Sequence, residues 1–209
     1  MFDCSDNKVM PPVLTDKRIL LASNSPRRRE LLGMILPEYS VPESVDIEEC
    51  YPADLAADDV PSYLSRLKAG PYLSILDERD ILITADTVVI VDGHILGKPK
   101  DHADACLMLG MLSGRTHTVV TGVTISDIND SYTFSESTEV TFENLEDFEI
   151  EEYVLRYRPY DKAGAYGIQE YIGAIGIKEI KGSFYNVMGL PVGALYRHLR
   201  RFIKARDFS

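Results

Sequence analysis

The sequence is poor in cysteine. Cys4, Cys50 and Cys106 are odd in number, far apart and never in a Cys-x-x-Cys pair. That excludes a disulfide framework and gives no sign of a zinc site. There is no apolar amino-terminal stretch of signal length and no run long enough to cross a bilayer, so a cytoplasmic protein is expected. Positive charge is also scarce: 22 Lys and Arg stand against 33 Asp and Glu, a formal net charge of −11. A broad basic face for nucleic acid or an anionic membrane is thereby excluded. No internal repeat, low-complexity tract or interdomain linker interrupts the chain. With 45% hydrophobic residues, 209 residues suffice for one well-buried domain and are marginal for two. Residues 1–17 are polar, carry two adjacent prolines and show no periodicity, so a loose leader is expected before one domain over 18–209.

Against this acidic background stands one dense knot of arginines. Residues 19–22, Ile-Leu-Leu-Ala, read as a short buried strand. Ser25 then suits a helix N-cap and Pro26 the first helical position. Leu31, Leu32, Ile35 and Leu36 recur at helical spacing and give that helix an apolar stripe. Arg27, Arg28 and Arg29 crowd its first turn, where the macrodipole disfavours cations by roughly some tenths of a kcal/mol each. From the arginines alone, a solvated face is the weightier reading. A preceding strand and Ser23-x-Ser25-Pro26 tip the balance to a bound anion, held by free N–H groups, two hydroxyls and guanidinium forks. The stretch reads as a triphosphate or pyrophosphate cradle. It is not a Walker loop, because the glycine-rich run and Gly-Lys-Ser/Thr are absent.

Residues 39–47 are expected to form a strand leading to Asp46, Glu48 and Glu49. Such acids are ordinarily solvated, yet a triphosphate site needs carboxylates to hold a divalent cation. Asp58 or Asp59 can cap a helix carrying Leu64, Leu67 and Lys68, which Gly70-Pro71 should kink or interrupt. Residues 81–91 are nearly continuous apolar and β-branched sequence, the pattern of a central strand buried on both faces. Asp86 sits in its middle. A carboxylate there is costly unless paired, hydrogen-bonded or bound to metal, which makes it a functional candidate. Asp92-Gly93 signals a two-residue hairpin, whose register sets Lys98 opposite Thr87. Strict alternation points Lys98 and Asp86 to opposite faces, so a departure from pairing near Gly97 is needed to bring them together.

Further on, Asp101 can cap a helix over 103–112, stopped by Ser113-Gly114. Residues 115–123 and 134–142 alternate as strands. Asn144 can cap an acidic helix to about residue 158, and 175–180 reads as a further strand. Pro191 opens a last helix with Leu195, Leu199, Phe202 and Ile203 as its buried stripe. His117 is a tempting general base, weighed lower because a lone strand histidine more often packs and bonds to backbone. Residues 159–169 are too glycine-rich for core structure and read as a tight loop that lets backbone approach a ligand. Asp161 and Lys162 offer a charge pair there, and Gln169 an amide with both donor and acceptor.

Four ordered stretches together resemble the Maf family of nucleoside triphosphate pyrophosphatases. They are Ser23-Asn24-Ser25-Pro26-Arg27-Arg28, Ala85-Asp86-Thr87 with Lys98-Pro99, Ser113-Gly114-Arg115-x-His117-x-Val119-x-Thr121-Gly122-Val123, and the complete segment from Asp161-Lys162 through Tyr166-Gly167-Ile168-Gln169. Thr84 stands where the family usually has glycine. The resemblance covers nearly the whole chain after the leader and is to the branch acting on dTTP and UTP rather than on 7-methyl-GTP. It implies an α/β single domain of the Maf/inosine-triphosphate-pyrophosphatase-like fold, a long twisted mixed sheet with flanking helices in two lobes around a cleft. It also implies hydrolysis of a small-molecule nucleotide to the monophosphate and pyrophosphate with a divalent cation, Mg2+ or Mn2+.

On the same resemblance Asp86 is the proton acceptor, with Lys98 beside it. Ser23, Ser25, Arg27, Arg28, Lys68, Thr87, Asp161, Lys162 and Gln169 would hold the substrate. Glu49, or its neighbour Glu48, would join Asp86 at the metal. Without the resemblance, Lys68 would be a solvated charge. Neither nucleic acid nor a membrane is expected as partner, and a homodimer is left open. The alternative from another class is a nucleotide-binding regulator of cell division that does not hydrolyse its ligand. A phosphatase or phosphodiesterase acting on another anion is a third reading.

Overall fold

The axis of the fold is one long strand, β2 (Asp80–Val91), in a computed structural model that describes residues 16–205. The leader expected over 1–17 lies outside the described residues except for its last two. β2 is buried throughout apart from the half-buried Thr87 and Ile90, as its apolar, β-branched sequence requires. On one edge it pairs antiparallel with β4 (Thr116–Ser126), followed outward by β5 (Ser131–Phe142) and β6 (Ile177–Lys181). On the other edge it is shared. β1 (Arg18–Leu21) runs parallel to Asp80–Ile83, and β3 (His94–Leu96) runs antiparallel to Val89–Val91. Among the described residues, no strand pairs positions 84–88 on that edge. The sheet therefore has a notch, and Asp86 lies in it.

The hairpin that makes β3 follows the sequence expectation. Asp92 and Gly93 both adopt positive φ, 49° and 77°, and Val91 pairs with His94. β3 then ends at Leu96, so the chain leaves the ladder before Lys98. That is the departure from pairing that strict alternation demanded.

Alternation along β2 sorts its side chains to two layers. Thr84, Asp86 and Val88 face α2 (Val60–Leu73): Thr84 donates to the Ser65 carbonyl, and Val88 packs with Val60 and Leu64. The threonine found where the family has glycine is thus a buried hydroxyl with a partner. Ala85 and Val89 face the opposite layer, which has two cores. The first joins β1 and β2 to α1 (Pro26–Ile35) and α7 (Val192–Lys204) through Leu31, Leu32, Leu195 and Leu199. The second gathers α3 (His102–Leu112), α4 (Asp147–Tyr157) and α5 (Tyr171–Gly176) on Val89, Val119 and Phe142. The short α6 (Phe184–Met188) is fixed by Asn186, whose side chain donates to the Val119 carbonyl and the Thr138 hydroxyl. Ala85 belongs to the first of these cores and Val89 to the second, so the notch in β2 lies at the boundary between them.

Several expected boundaries differ. Residues 39–47 form no strand; only Ser40 bridges Leu20, and Pro42 cannot donate to a ladder. α2 runs through Pro71 to Leu73, because a proline in the last turn removes one hydrogen bond rather than a helix. α4 is capped by Glu146, in a reciprocal box with Glu149, and Asn144 lies against Gly114 instead. Residues 171–176 are helical, Ala174 donating to the Glu170 carbonyl, so β6 begins only at Ile177. No helix of the described residues is long and apolar enough to cross a membrane.

Gly122 decides how closely α2 approaches. It is the cross-strand partner of Asp86, and a Cβ there would lie 2.3 Å from the Pro61 carbonyl carbon and the Ser62 nitrogen. Gly122→Ala is therefore expected to cost about 1–3 kcal/mol in urea denaturation, the usual range for overpacking. Gly110→Ala is the control, since a Cβ at that exposed helical glycine meets nothing within 4 Å. It should gain about 0.5–1 kcal/mol. Equal effects would contradict the packing argument.

Candidate active site

The notch is filled from α1. Ser25 caps that helix, its hydroxyl accepting from Arg28 N at 3.4 Å, and Ser25 N in turn donates to the Ser23 hydroxyl. The three arginines then part ways. Arg29 Nε turns back to the Ser23 carbonyl at 3.1 Å. Arg28 lies along the free edge of β2, donating to the Ala85 carbonyl (2.7 Å), the Thr87 hydroxyl (3.0 Å) and the Gly189 carbonyl (2.8 Å). It stands where a neighbouring strand would stand, and two of its five N–H groups remain for a ligand. Arg27 reaches across to the Asp161 carboxylate at 2.7 Å.

The acid end of the site is built by α2. Asp86, only 7% exposed, accepts from Lys68 Nζ through Oδ1 at 2.5 Å. Lys68 also pairs with Glu49 Oε1 at 2.9 Å. Burial pushes the Glu49 carboxyl up, but Lys68, Lys98 and Arg28 outweigh it and hold the group below the ordinary carboxylate range. Of the two neighbouring glutamates it is Glu49 that meets Lys68. The partner expected for Asp86 was Lys98. Lys98 is exposed on the same cleft, but the ammonium bonded to Asp86 belongs to Lys68, because Asp86 points to the α2 face.

The opposite wall is the glycine-rich loop. Lys162 is buried and pairs with Asp161 Oδ1 (2.9 Å) and Glu170 Oε1 (3.2 Å). Tyr153, from α4, donates to Glu170 Oε2 and accepts from Gly167 N. Burial, with Glu170 beside it, pushes that phenol well up. Gly164, at φ +67°, donates to the Gly97 carbonyl, and a Cβ on it would meet Val89 at 2.9 Å. The loop is thus tied to the segment carrying Lys98. Asp161 is pushed up by burial, yet Lys162 and Arg27 bring it down to about 2.

Between these walls lies a cleft of about 570 Å3, within the range of roughly 300–1,000 Å3 usual for small-molecule sites. It is lined by Ser23, Ser25, Arg27, Arg28, Glu49, Lys68, Asp86, Thr87, Lys98, Asp161, Lys162 and the exposed Gln169, all singled out in the sequence, whereas Glu48, the alternative to Glu49, is not in the lining. Glu49 and Asp86, two carboxylates drawn to one ammonium, are the hard oxygen donors that Mg2+ or Mn2+ takes alongside phosphate oxygens. His117 lies outside. It is buried against Phe142 and Tyr166, with Nε2 at 2.7 Å from the Tyr166 hydroxyl. Sequence reasoning missed Glu170 and Tyr153. Glu170 directly follows the matched segment, whereas nothing in the sequence marks Tyr153 apart from its helix.

A family model described as "Maf-like protein" matches residues 18–202. Among curated relatives, the dTTP/UTP pyrophosphatase of Porphyromonas gingivalis is 56% identical, covering 88% of this chain and 94% of its own length. That of Bacteroides thetaiotaomicron is 50% identical over 88% of this chain and 95% of its own length. That of Christiangramia forsetii is 40% identical over 94% of this chain and all of its own (100%).

Burial lowers His117 to about 4, against an ordinary value near 6.5. The unfolded chain thus takes the proton more readily than the folded one. The stability tied to neutral His117 is complete above about pH 6.5 and lost as pH falls towards 4, by up to about 3 kcal/mol. In His117→Gln the fall in denaturation free energy across that window should be correspondingly shallower. An unchanged slope would assign the acid sensitivity to other groups.

Proposed function

The chain belongs to the Maf family, and on that premise we propose that it is a pyrophosphatase hydrolysing dTTP and UTP to the monophosphate and pyrophosphate. The observation that carries this reading is that a buried carboxylate and an arginine-rich helix start share one cleft. Displacement at phosphorus depends on positioning and charge neutralisation more than on covalent chemistry. Lys68 occupies Oδ1 of Asp86, which leaves Oδ2 to take the proton from the attacking water. The water oxygen bonds to the α-phosphorus as the bond to the bridging oxygen breaks, and pyrophosphate leaves. Lys98, the remaining N–H groups of Arg28 and the Ser23 and Ser25 hydroxyls hold phosphate oxygens.

Arg27 exchanges Asp161 for substrate, and the Gln169 amide reads a pyrimidine edge with its donor and acceptor together. Thr87 acts through Arg28, which it orients. Lys162, tied to Asp161 and Glu170, fixes the loop that presents Gln169. Glu49 and Asp86 would hold Mg2+ or Mn2+, which when bound neutralises phosphate charge and polarises the α-phosphorus. A nucleotide-pool substrate suits a cytoplasmic protein, and neither nucleic acid nor a membrane enters the reading. A homodimer is compatible with this reading, each chain carrying its own cleft.

Pyrophosphate release from a nucleotide panel tests the proposal. The wild type should prefer dTTP and UTP to purine nucleotides. Asp86→Asn, with an unchanged circular dichroism spectrum, should lose about 100- to 10,000-fold in turnover. Near-normal turnover would remove Asp86 from the chemistry. Gln169→Ala should flatten the pyrimidine preference, and an unchanged preference would take base reading away from that amide. Binding of dTTP without turnover in Mg2+ or Mn2+ would favour the regulator, and orthophosphate release a phosphatase.

A further inference from the structure

α3 and α4 pack side by side behind the loop wall, and they bring together three side chains that the proposed hydrolysis does not use. His102 opens α3 and Cys106 follows one turn later on the same face. Glu151 meets them from α4. The Cys106 Sγ lies 3.6 Å from Glu151 Oε2 and 3.8 Å from His102 Nδ1, and His102 Nε2 lies 3.2 Å from Glu151 Oε1. One ligand atom from each residue falls within 4.8 Å of the other two. Ligands of a single tetrahedral zinc ion, at its usual bond lengths, are about 3.3–3.6 Å apart. The short contacts use both ring nitrogens of His102 and both oxygens of Glu151, so the set of one atom per residue, within 4.8 Å, would have to close by roughly 1 Å through side-chain rotation to hold an ion.

From this arrangement we propose that His102, Cys106 and Glu151 bind a borderline divalent cation, Zn2+, with a fourth position open to solvent. The donor types select the ion. One nitrogen, one sulfur and one carboxylate suit Zn2+ and not the hard Mg2+ or Ca2+. A plain hydrogen-bonded cluster accounts for the site less well. His102 Nε2 is enclosed yet makes no directed hydrogen bond to a described residue, in spite of Glu151 nearby. α4 also carries Asp147 and Glu149 in its first turn and Glu152 beside Glu151, a local negative field that draws cations. Binding replaces the thiol proton: Cys106–SH and Zn2+ give Cys106–S–Zn and one released H+. Burial and Glu151 push the free thiol up, so affinity rises with pH. An ion here would join the first turn of α3 to α4. α3 packs on the Ala163–Ala165 turn of the loop, and α4 carries the Tyr153 that holds Gly167.

The test is a Co2+ titration of the metal-stripped full-length chain. A thiolate-to-cobalt charge-transfer band in the near ultraviolet should saturate at one ion per chain and vanish when Zn2+ displaces Co2+. Among the described residues no cysteine lines the proposed catalytic cleft, so metal held there by those residues is silent in this band. A Cys4→Ser/Cys50→Ser variant should keep the band, and Cys106→Ser should abolish it. His102→Gln and Glu151→Gln should each weaken apparent affinity at least about tenfold, as losses around zinc ligands do. Absence of the band in the wild type, its survival in Cys106→Ser, or full affinity in both His102→Gln and Glu151→Gln would overturn the proposal. None of these outcomes depends on whether the chain hydrolyses dTTP.

Discussion

The ion pair between Lys68 and Asp86 is the contact on which the site depends. A carboxylate in the middle of a twelve-residue buried strand is untenable alone, and an ammonium brought to it from another element makes it tenable. That ammonium arrives because α2 lies almost on the backbone of β4, an approach that only glycine at position 122 permits. The same ammonium holds Glu49, so one lysine gathers two acids at the edge of the sheet. On the edge away from β4, β2 is unpaired at this height, because β1 stops before it and β3 starts beyond it. A sheet with a continuous edge there would have had no room for a ligand.

The arginines of α1 show scaffold and site occupying the same residues. Three cations at the start of a helix break a local electrostatic rule, and part of the compensation comes from within the protein. Arg29 takes a carbonyl just ahead of the helix, Arg28 takes three oxygens from two other segments, and Arg27 takes a carboxylate from the loop. Arg28 in particular replaces the missing strand by supplying donors to the free edge of β2. An anion in the cleft would add to these bonds rather than substitute for them, except at Arg27, whose exposed partner Asp161 can be exchanged.

What was legible in the sequence is what local chemistry decides. The Ser25 cap, the Asp92-Gly93 turn, the apolar run of β2 and the stripe of α7 each follow from a few adjacent residues, and each is where it was expected. Among the described residues, the pattern also named every charged residue of the cleft, though not Ser44, Tyr51 or Tyr72 in its lining. It did not say which of them touch. Lys98 was the natural partner for Asp86 by hairpin register, yet the face to which Asp86 points gives it to Lys68, on a helix whose placement no local pattern encodes. The Tyr153–Glu170 support and the meeting of His102, Cys106 and Glu151 both depend on how α3, α4 and the loop dock. Residues 39–47 differ the other way: a strand was expected there, but tertiary context left a single bridge.

A structure of the chain with Mg2+ and a dTTP analogue carrying a non-hydrolysable α–β bridge would measure the central claim most directly. The α-phosphorus is expected beside Asp86, the thymine ring against Gln169, and Arg27 turned from Asp161 to the phosphates. A nucleotide bound outside the cleft, or bound in reverse with its base at Asp86, would contradict the account.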